Sequence, residues 1–400
     1  MANRYDLLDL LKRLLSLPTA PFHERFVSSF LCAELKKADI DFQQDRYGNI
    51  VAGGGDKKNS MAYVAHMDHP GFEIARVKGN RVEADWFGGV DAKYFIGARV
   101  VIYDQFTGAV GARGVVEKVS KNPQGRVEKM TLRIKGSAAR GDFGAWDLVP
   151  FRRRGELIYT KGADDLVGCA VILCALKELK KRGIQNGIRG IFTRAEEQGF
   201  IGTLGMIQSG FFPASTRIIS VETSKALPGV VLGGGPVIRL GDRTSMFHHQ
   251  MVFFMDYAAR QIQEKDSGFA YQRRVMDGGT CEATPYQLKG HITGGIAVPL
   301  RNYHNQGKKR IGPEAVYLKD ATGAVRFLVE LALRMDDFEL PTQEILKRFG
   351  NSWQKYGARL QHKELKGSRV RQRKLILLKN PLSSRSVILS KAKNLVFSRT

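Results

Sequence analysis

Cysteine is scarce in this chain: four residues, Cys32, Cys169, Cys174 and Cys281, with no CxxC spacing. That is too few for a disulfide scaffold and offers no clustered thiolates for a structural zinc site. Free thiols of this kind suit a reducing, cytoplasmic location. Also missing is any stretch of about 18 uncharged apolar residues, so no membrane-spanning helix and no membrane partner are expected. The leucines at the N-terminus are interrupted by Asp6, Asp9, Lys12 and Arg13, the pattern of an amphipathic helix and not of a signal peptide. There is no internal repeat. Gly233-Gly234-Gly235 lacks the Gly-Lys-Ser/Thr ending of a phosphate cradle and reads as a flexible loop.

What is present is an ordinary core-forming composition. Of 400 residues, 43% are apolar and 26% charged, which excludes collagen-like, low-complexity and wholly disordered chains and suits two globular units. The formal charge of +24 suggests nucleic acid until it is located. Residues 351–400 hold thirteen Lys and Arg and one acid, a net +12; the other 350 residues carry the remaining 50 basic and 38 acidic residues, also +12. Half of the charge therefore sits in an eighth of the chain, and nucleic-acid binding is expected only through that tail. Such binding would be salt-dependent and lost on deleting residues 351–400.

The spacing predicts helices over the first forty residues (Leu7, Leu10, Leu11, Leu14, then Phe26, Val27, Phe30, Leu31), broken at Pro18 and Pro21. Met61–Ala65 reads as a buried strand. From about Phe72 to Tyr159, short β-rich runs alternate with glycine turns and no helical period appears. Alternation of helix and strand then resumes: helices over 167–179, 202–209, 251–263 and 321–333, strands over 187–193, 216–221 and 292–298. The β segment is thus inserted in an α/β domain that begins before it and ends after it. We delimit residues 1–72 plus 160–345 as the α/β domain, 73–159 as a small β-barrel and 346–400 as a basic, mostly disordered tail.

The predicted strands end in ligand-type side chains. His66 closes one, with Asp68 two residues on. Glu196 and Glu197 follow another, Glu222 ends a third, and His304 lies beyond a fourth. Asp164-Asp165 opens the helix after the β segment. Singly, each has a structural explanation: a hydrogen-bonded histidine, a helix cap, a solvated acid. Jointly they lie where open α/β sheets bind ligands, at the carboxyl ends of strands. Two histidines and three ligand carboxylates, with one further acid as base, are the inventory of a two-metal hydrolytic site. Oxygen and imidazole donors suit Zn, Co or Mn.

His66-Met67-Asp68, Gly162-Ala163-Asp164-Asp165, Ala195-Glu196-Glu197-Gln198-Gly199 and Pro299-Leu300-Arg301-Asn302-Tyr303-His304 resemble, in that order, motifs of the dinuclear metallo-aminopeptidases of the glutamyl and tetrahedral type, some of which carry an endoglucanase label. Leu17-Pro18-Thr19-Ala20-Pro21 followed by Glu24 matches as well. The resemblance implies a phosphorylase/hydrolase-like three-layer α/β sandwich with an inserted β-barrel that serves oligomerisation, from a dimer up to a dodecamer. It implies that Asp164 bridges two divalent ions beside a cis Asp164-Asp165 peptide. His66 and Glu222 complete one site, and Glu197 and His304 the other. It makes Glu196 the general base, and it makes Asp68 the partner that orients His66. The implied activity is removal of N-terminal residues from short peptides. A related carboxypeptidase or deacylase is the alternative enzyme, and a silent assembly protein on the same fold is the alternative without chemistry. The endoglucanase label fits poorly, because glycosidases flank the bond with two carboxylates and have no use for these histidines. Four departures mark a divergent branch: Glu222 where relatives have Asp, Cys281-Glu282 where they have Asp-Ala, Leu166 where an Arg is common, and Asn305 where a Ser is usual.

Overall fold

The computed structural model describes residues 4–54, 60–184 and 187–360. Residues Met1–Arg348 make up one unit, built on a mixed sheet of eleven strands. Its middle is parallel, with Ile188–Thr193, Met61–His66, Arg217–Lys225 and Thr293–Arg301 side by side in that order. These strands are near-continuous buried runs, the composition needed by a parallel sheet covered on both faces. Antiparallel strands flank them: Ile50–Gly54 and Phe42–Gln44 at one edge, Glu314–Tyr317, Leu157–Thr160 and Arg152–Arg154 at the other.

The period of two divides the strand side chains between two helical layers. Tyr63, Ala65, Phe192, Ile219 and Val221 pack with helices Leu166–Lys181 and Leu318–Leu333, while Ala62, Val64, Ile191 and Ile218 pack with Met206 and Tyr286 from the helices on the other face. The expected α/β sandwich is what forms. Helix Leu166–Lys181 starts where the Asp165 side chain accepts the Gly168 N–H at 3.2 Å. A Cβ on Gly168 would lie 2.4 Å from that carboxylate, so the cap requires glycine. The helix then buries Val171, Ile172, Leu173 and Leu176, each contributing about 1.5–3 kcal/mol of transfer free energy. The buried Tyr63 hydroxyl crosses to the Leu328 carbonyl at 2.7 Å, which ties the sheet to helix Leu318–Leu333 without an orphaned polar group.

Between the His66 strand and the Asp164 turn, six antiparallel strands close into a barrel: Gly71–Lys78, Arg81–Phe87, Val127–Gly136, Val110–Lys121, Arg99–Tyr103 and Phe143–Trp146. Phe72, Trp86, Phe95 and Trp146 fill it, with ring centroids 4.7–6.5 Å apart, a spacing at which aromatic pairs attract. Strands Arg152–Arg154 and Leu157–Thr160, which fell within 73–159 on sequence except for Thr160, pair with each other, and the second pairs with Glu314–Tyr317 in the main sheet. The barrel strands therefore end at Trp146, earlier than expected.

Other expectations are corrected. Order does not stop near Phe349, because helix Leu340–Tyr356 runs on and a short turn follows at Gly357–Leu360. The described part of the second unit, which begins at Phe349, is the end of that helix and this turn. The remainder of the basic tail, residues 361–400, lies outside the described residues. His248 and His249 do not point apart: His248 is extended ahead of helix His249–Lys265, and the two rings stack at 4.9 Å. The Gly233–Gly235 loop is tethered, not free, because the N–H groups of Gly233 and Gly235 both donate to the Asp320 carboxylate at 2.8 Å. A parallel pair, Val237–Asp242 with Gln272–Met276, joins the main sheet through Thr293–Arg301 and was not foreseen.

Candidate active site

His66 is the last residue of its strand. Ser220 lies opposite Val64 in the neighbouring parallel strand, so Glu222 and His66, each two residues further on, emerge at the same carboxyl edge. Asp164 reaches that edge from the turn before helix Leu166–Lys181, across a cis peptide to Asp165. Glu196 and Glu197 lie in the short turn after strand Ile188–Thr193. His304 follows strand Thr293–Arg301. All five positions predicted as metal ligands, and Glu196, thus meet in one cluster.

Three groups of donor atoms fall within 4.8 Å of one another: His66, Asp164, Glu222; Asp164, Glu197, His304; and His66, Glu196, Glu197. Asp164 belongs to the first two, with Oδ1 3.6 Å from His66 Nε2 and Oδ2 3.5 Å from His304 Nε2. The Nδ1 of His66 points to the Asp68 carbonyl at 3.1 Å, and that of His304 to the Gly89 carbonyl at 2.8 Å. Carbonyls only accept, so each Nδ1 carries the proton and each Nε2 faces the centre as a donor atom for a cation. His304 Nε2 and Glu197 Oε1 stand 2.9 Å apart, yet neither lies in hydrogen-bonding direction, and with Asp164 Oδ1 they are buried without partners. Buried polar atoms left bare in this way normally have a ligand to satisfy. The donor set fits divalent cations, and Asp164 is common to two of the groups.

Charge within the cluster follows from burial and crowding. Burial and the carboxylates of Glu197, Glu222 and Glu282 push the Glu196 carboxyl well above its ordinary range, against the opposing pull of His66. Burial alone would depress His66, but Glu196, Asp164 and Asp68 hold it well above 6.5. His304 is raised likewise by Glu197 and Asp164. Burial also resists ionisation of Asp164, yet the close approach of the His304 and His66 rings brings it below the usual range.

Asp68 sits differently from expectation. Its backbone carbonyl takes the His66 ring proton, with the carboxylate Oδ1 at a longer 3.5 Å. The carboxylate itself accepts the backbone N–H groups of Glu196 and Glu197, each at 3.0 Å. It holds the turn more directly than it holds the ring.

Several supporting residues escaped the sequence. Glu314 is fully buried; its Oε2 accepts the Ala163 and Asp164 N–H groups and its Oε1 the His304 N–H. An isolated acid in the apolar run Glu314–Tyr317 was the only signal. His69, partnerless on sequence, lies between the Asp164 carbonyl and Asn305 Oδ1. Asn305 in turn donates to the Lys161 carbonyl at 2.9 Å. Gly89 lies in a loop after barrel strand Arg81–Phe87, so the barrel reaches the cluster. Other candidates stay outside: His23 pairs with Glu73, His291 with the Thr216 carbonyl, and His362 lies outside the described residues. Burial pushes the Cys281 thiol far up, which leaves it inert as a nucleophile. A small cleft of about 30 Å³ opens on the cluster and is walled by Ser224, Lys225, Arg239, Met276, Thr280 and Tyr303.

Known proteins share this fold over most of this sequence. A candidate aminopeptidase of Acetivibrio thermocellus is 27% identical over 343 residues, 81% of this chain and 98% of that protein. An aminopeptidase of the archaeon Desulfurococcus kamchatkensis superposes with a TM-score of 0.67 at 25% identity, over 82% of this chain and 95% of that one. A TET peptidase of Pyrococcus horikoshii, which can assemble into a tetrahedron or a large octahedral shell, superposes with a TM-score of 0.68 at 20% identity, over 82% and 99%. Residues 48–310 match the M42 glutamyl aminopeptidase model. The chain accordingly belongs to the M42 glutamyl aminopeptidase family and is a metal-dependent peptidase.

Proposed function

We propose that the chain removes the N-terminal residue from short peptides, using two divalent ions (zinc, cobalt or manganese) held by His66, Asp164 and Glu222 on one side and by Asp164, Glu197 and His304 on the other. The observation that carries this reading is the pair of donor groups sharing Asp164, three of whose buried atoms lack any other partner. Bound there, such ions would polarise the scissile carbonyl and acidify a water. Glu196 would take the proton from that water and return it to the leaving amine. Glu314 and Asp68 fix the backbone beneath the ligands. Arg239 is buried in the cleft wall with its Nε unpartnered, and Lys225 lies near it. These cations favour an acidic N-terminal residue. Homo-oligomers are the expected working form, as for the relative that builds shells, with the barrel as an assembly surface. The four free thiols fit a reducing cytoplasm.

The test is hydrolysis of aminoacyl-p-nitroanilides with acidic, basic and aliphatic residues, each with a free and an acetyl-blocked amine, on zinc- or cobalt-loaded protein before and after EDTA. The expected result is EDTA-sensitive cleavage of free-amine substrates alone, fastest with Glu or Asp. Cleavage of blocked substrates would establish a deacylase instead. Two bound ions per chain with no cleavage of any substrate would refute the peptidase chemistry.

A further inference from the structure

Four consecutive backbone N–H groups in the turn bearing Glu196 and Glu197 donate to side chains from far upstream. Arg194 N–H meets Asn49 Oδ1 at 3.0 Å, Ala195 N–H meets Glu24 Oε1 at 2.9 Å, and the Glu196 and Glu197 N–H groups meet the two Asp68 oxygens at 3.0 Å. Glu24 is fully buried. Its Oε1 also accepts the Phe22 N–H at 2.8 Å, and its Oε2 accepts Arg194 Nε at 2.7 Å. The other two guanidinium nitrogens of Arg194 donate to the Tyr47 and Phe22 carbonyls at 3.0 and 2.9 Å. These four donors of the turn and all three guanidinium nitrogens of its arginine are thereby engaged.

The two carboxylates do different jobs. Asp68 grips the amides of Glu196 and Glu197, and Asn49 that of Arg194. Glu24 holds the amide between them, at Ala195, and the Arg194 side chain with it. Ala195 has φ 49° and ψ 43°, a left-handed conformation that a residue with a Cβ keeps only where its surroundings impose it. The direction in which Glu196 enters the cleft therefore depends on a carboxylate that touches neither substrate nor ligand atoms.

We propose that Glu24, acting through the Ala195 amide and the Arg194 guanidinium, is a positioning residue for the Glu196 base. This rests on the function given above, in which Glu196 moves the proton. An error of about 1 Å in a proton-transfer group costs on the order of 10²-fold in rate, while ligands fixed by other elements are unaffected.

The experiment compares Glu24→Gln, Arg194→Lys and their combination with Glu196→Gln, all as cobalt-loaded full-length protein on the fastest free-amine substrate. Gln keeps the shape of Glu24 but cannot serve both the Ala195 amide and the Arg194 Nε, while Lys keeps the charge of Arg194 without its fork. We expect kcat to fall about 10- to 100-fold in either single variant, with KM within about threefold, two ions per chain and the wild-type melting temperature nearly retained. The double variant should be no slower than the worse single, because both break one clamp. Either single variant with kcat within twofold of wild type would overturn the proposal, as would a loss that merely tracks lost metal or lost folded protein. Should Glu24→Gln not fold, Arg194→Lys decides. Glu196→Gln separates the two levels: full turnover there refutes the function reading, whereas an inactive Glu196→Gln beside a fully active Glu24→Gln refutes the positioning role alone.

Discussion

Replacing Glu282 by Gln should stabilise the metal-depleted protein in alkaline but not in acidic solution. Glu282 is fully buried. Its Oε1 accepts the hydroxyls of Thr193 and Thr203, and its Oε2 has no partner. Burial, with some repulsion from Glu222 and against the pull of His66, pushes its carboxyl from 4.5 up to about 7. The folded chain thus binds a proton at this site in a range where the unfolded chain has released it, so stability falls as pH rises between those values. The interval from 4.5 to about 7 is about 2.5 pH units, which at about 1.4 kcal/mol each gives a loss of about 3 kcal/mol. Glutamine offers the same Oε1 to both threonines and stays neutral throughout. Urea unfolding of wild type and Glu282→Gln in EDTA, at pH 5 and pH 8.5, reads the difference directly. The advantage of the variant should grow by about 2–3 kcal/mol between the two conditions. Because every other titrating group is common to both chains, an advantage that stays constant within about 0.5 kcal/mol would show that the site ionises at no such cost.

Gly202→Ala should lower stability by more than about 2 kcal/mol and reduce kcat, because the new Cβ would lie 2.4 Å from Asn49 Oδ1 and 2.6 Å from the Arg194 carbonyl; thermal melting and steady-state assay check both. Asp164→Asn should bind neither ion tightly, whereas His304→Ala should keep the first; metal content after gel filtration distinguishes these outcomes. The raised His66 and His304 make imidazolium–carboxylate pairs that stabilise the metal-free protein fully below about 6.5. That stabilisation disappears as pH climbs through the raised folded values, and the same protons compete with cations. The gain in melting temperature on adding zinc should therefore be larger at pH 8 than at pH 6.

Much of the fold could be read from the sequence, because the parallel strands are short apolar runs and the barrel announces itself as β-rich segments without helical period. Helices such as Leu166–Lys181 and His249–Lys265 were off by only a residue or two at each end. The clustered donor residues were legible for a related reason: a polar side chain at the end of an apolar strand has few structural uses. What failed was whatever depends on pairing across distance. Arg273 and Arg274 are exposed and gave strand Gln272–Met276 no apolar signature, so its ladder was invisible. Leu346, Phe349 and Trp353 have helical spacing, but they are exposed and their surroundings are basic, so the helix end was read as tail. The partners of Asp68, Glu24 and Glu314 are backbone amides from other elements, and an amide leaves no mark in a sequence.

One bond described above bears on how this architecture can be altered. The Gly89 carbonyl, in the inserted barrel segment, receives the ring proton of His304, while the chain enters the barrel just after His66 and leaves it at Trp146, two main-sheet strands before Asp164. An insertion normally behaves as an accessory, open to loss, exchange or grafting as long as its two ends stay close. Here the insertion supplies a component to the site it interrupts. A swapped barrel must offer a carbonyl within hydrogen-bonding distance of that ring, or the imidazole loses the partner that orients it. The two modules have thus ceased to be separable, and descent or design can reshape the barrel's outer surface far more freely than the one loop that faces inward.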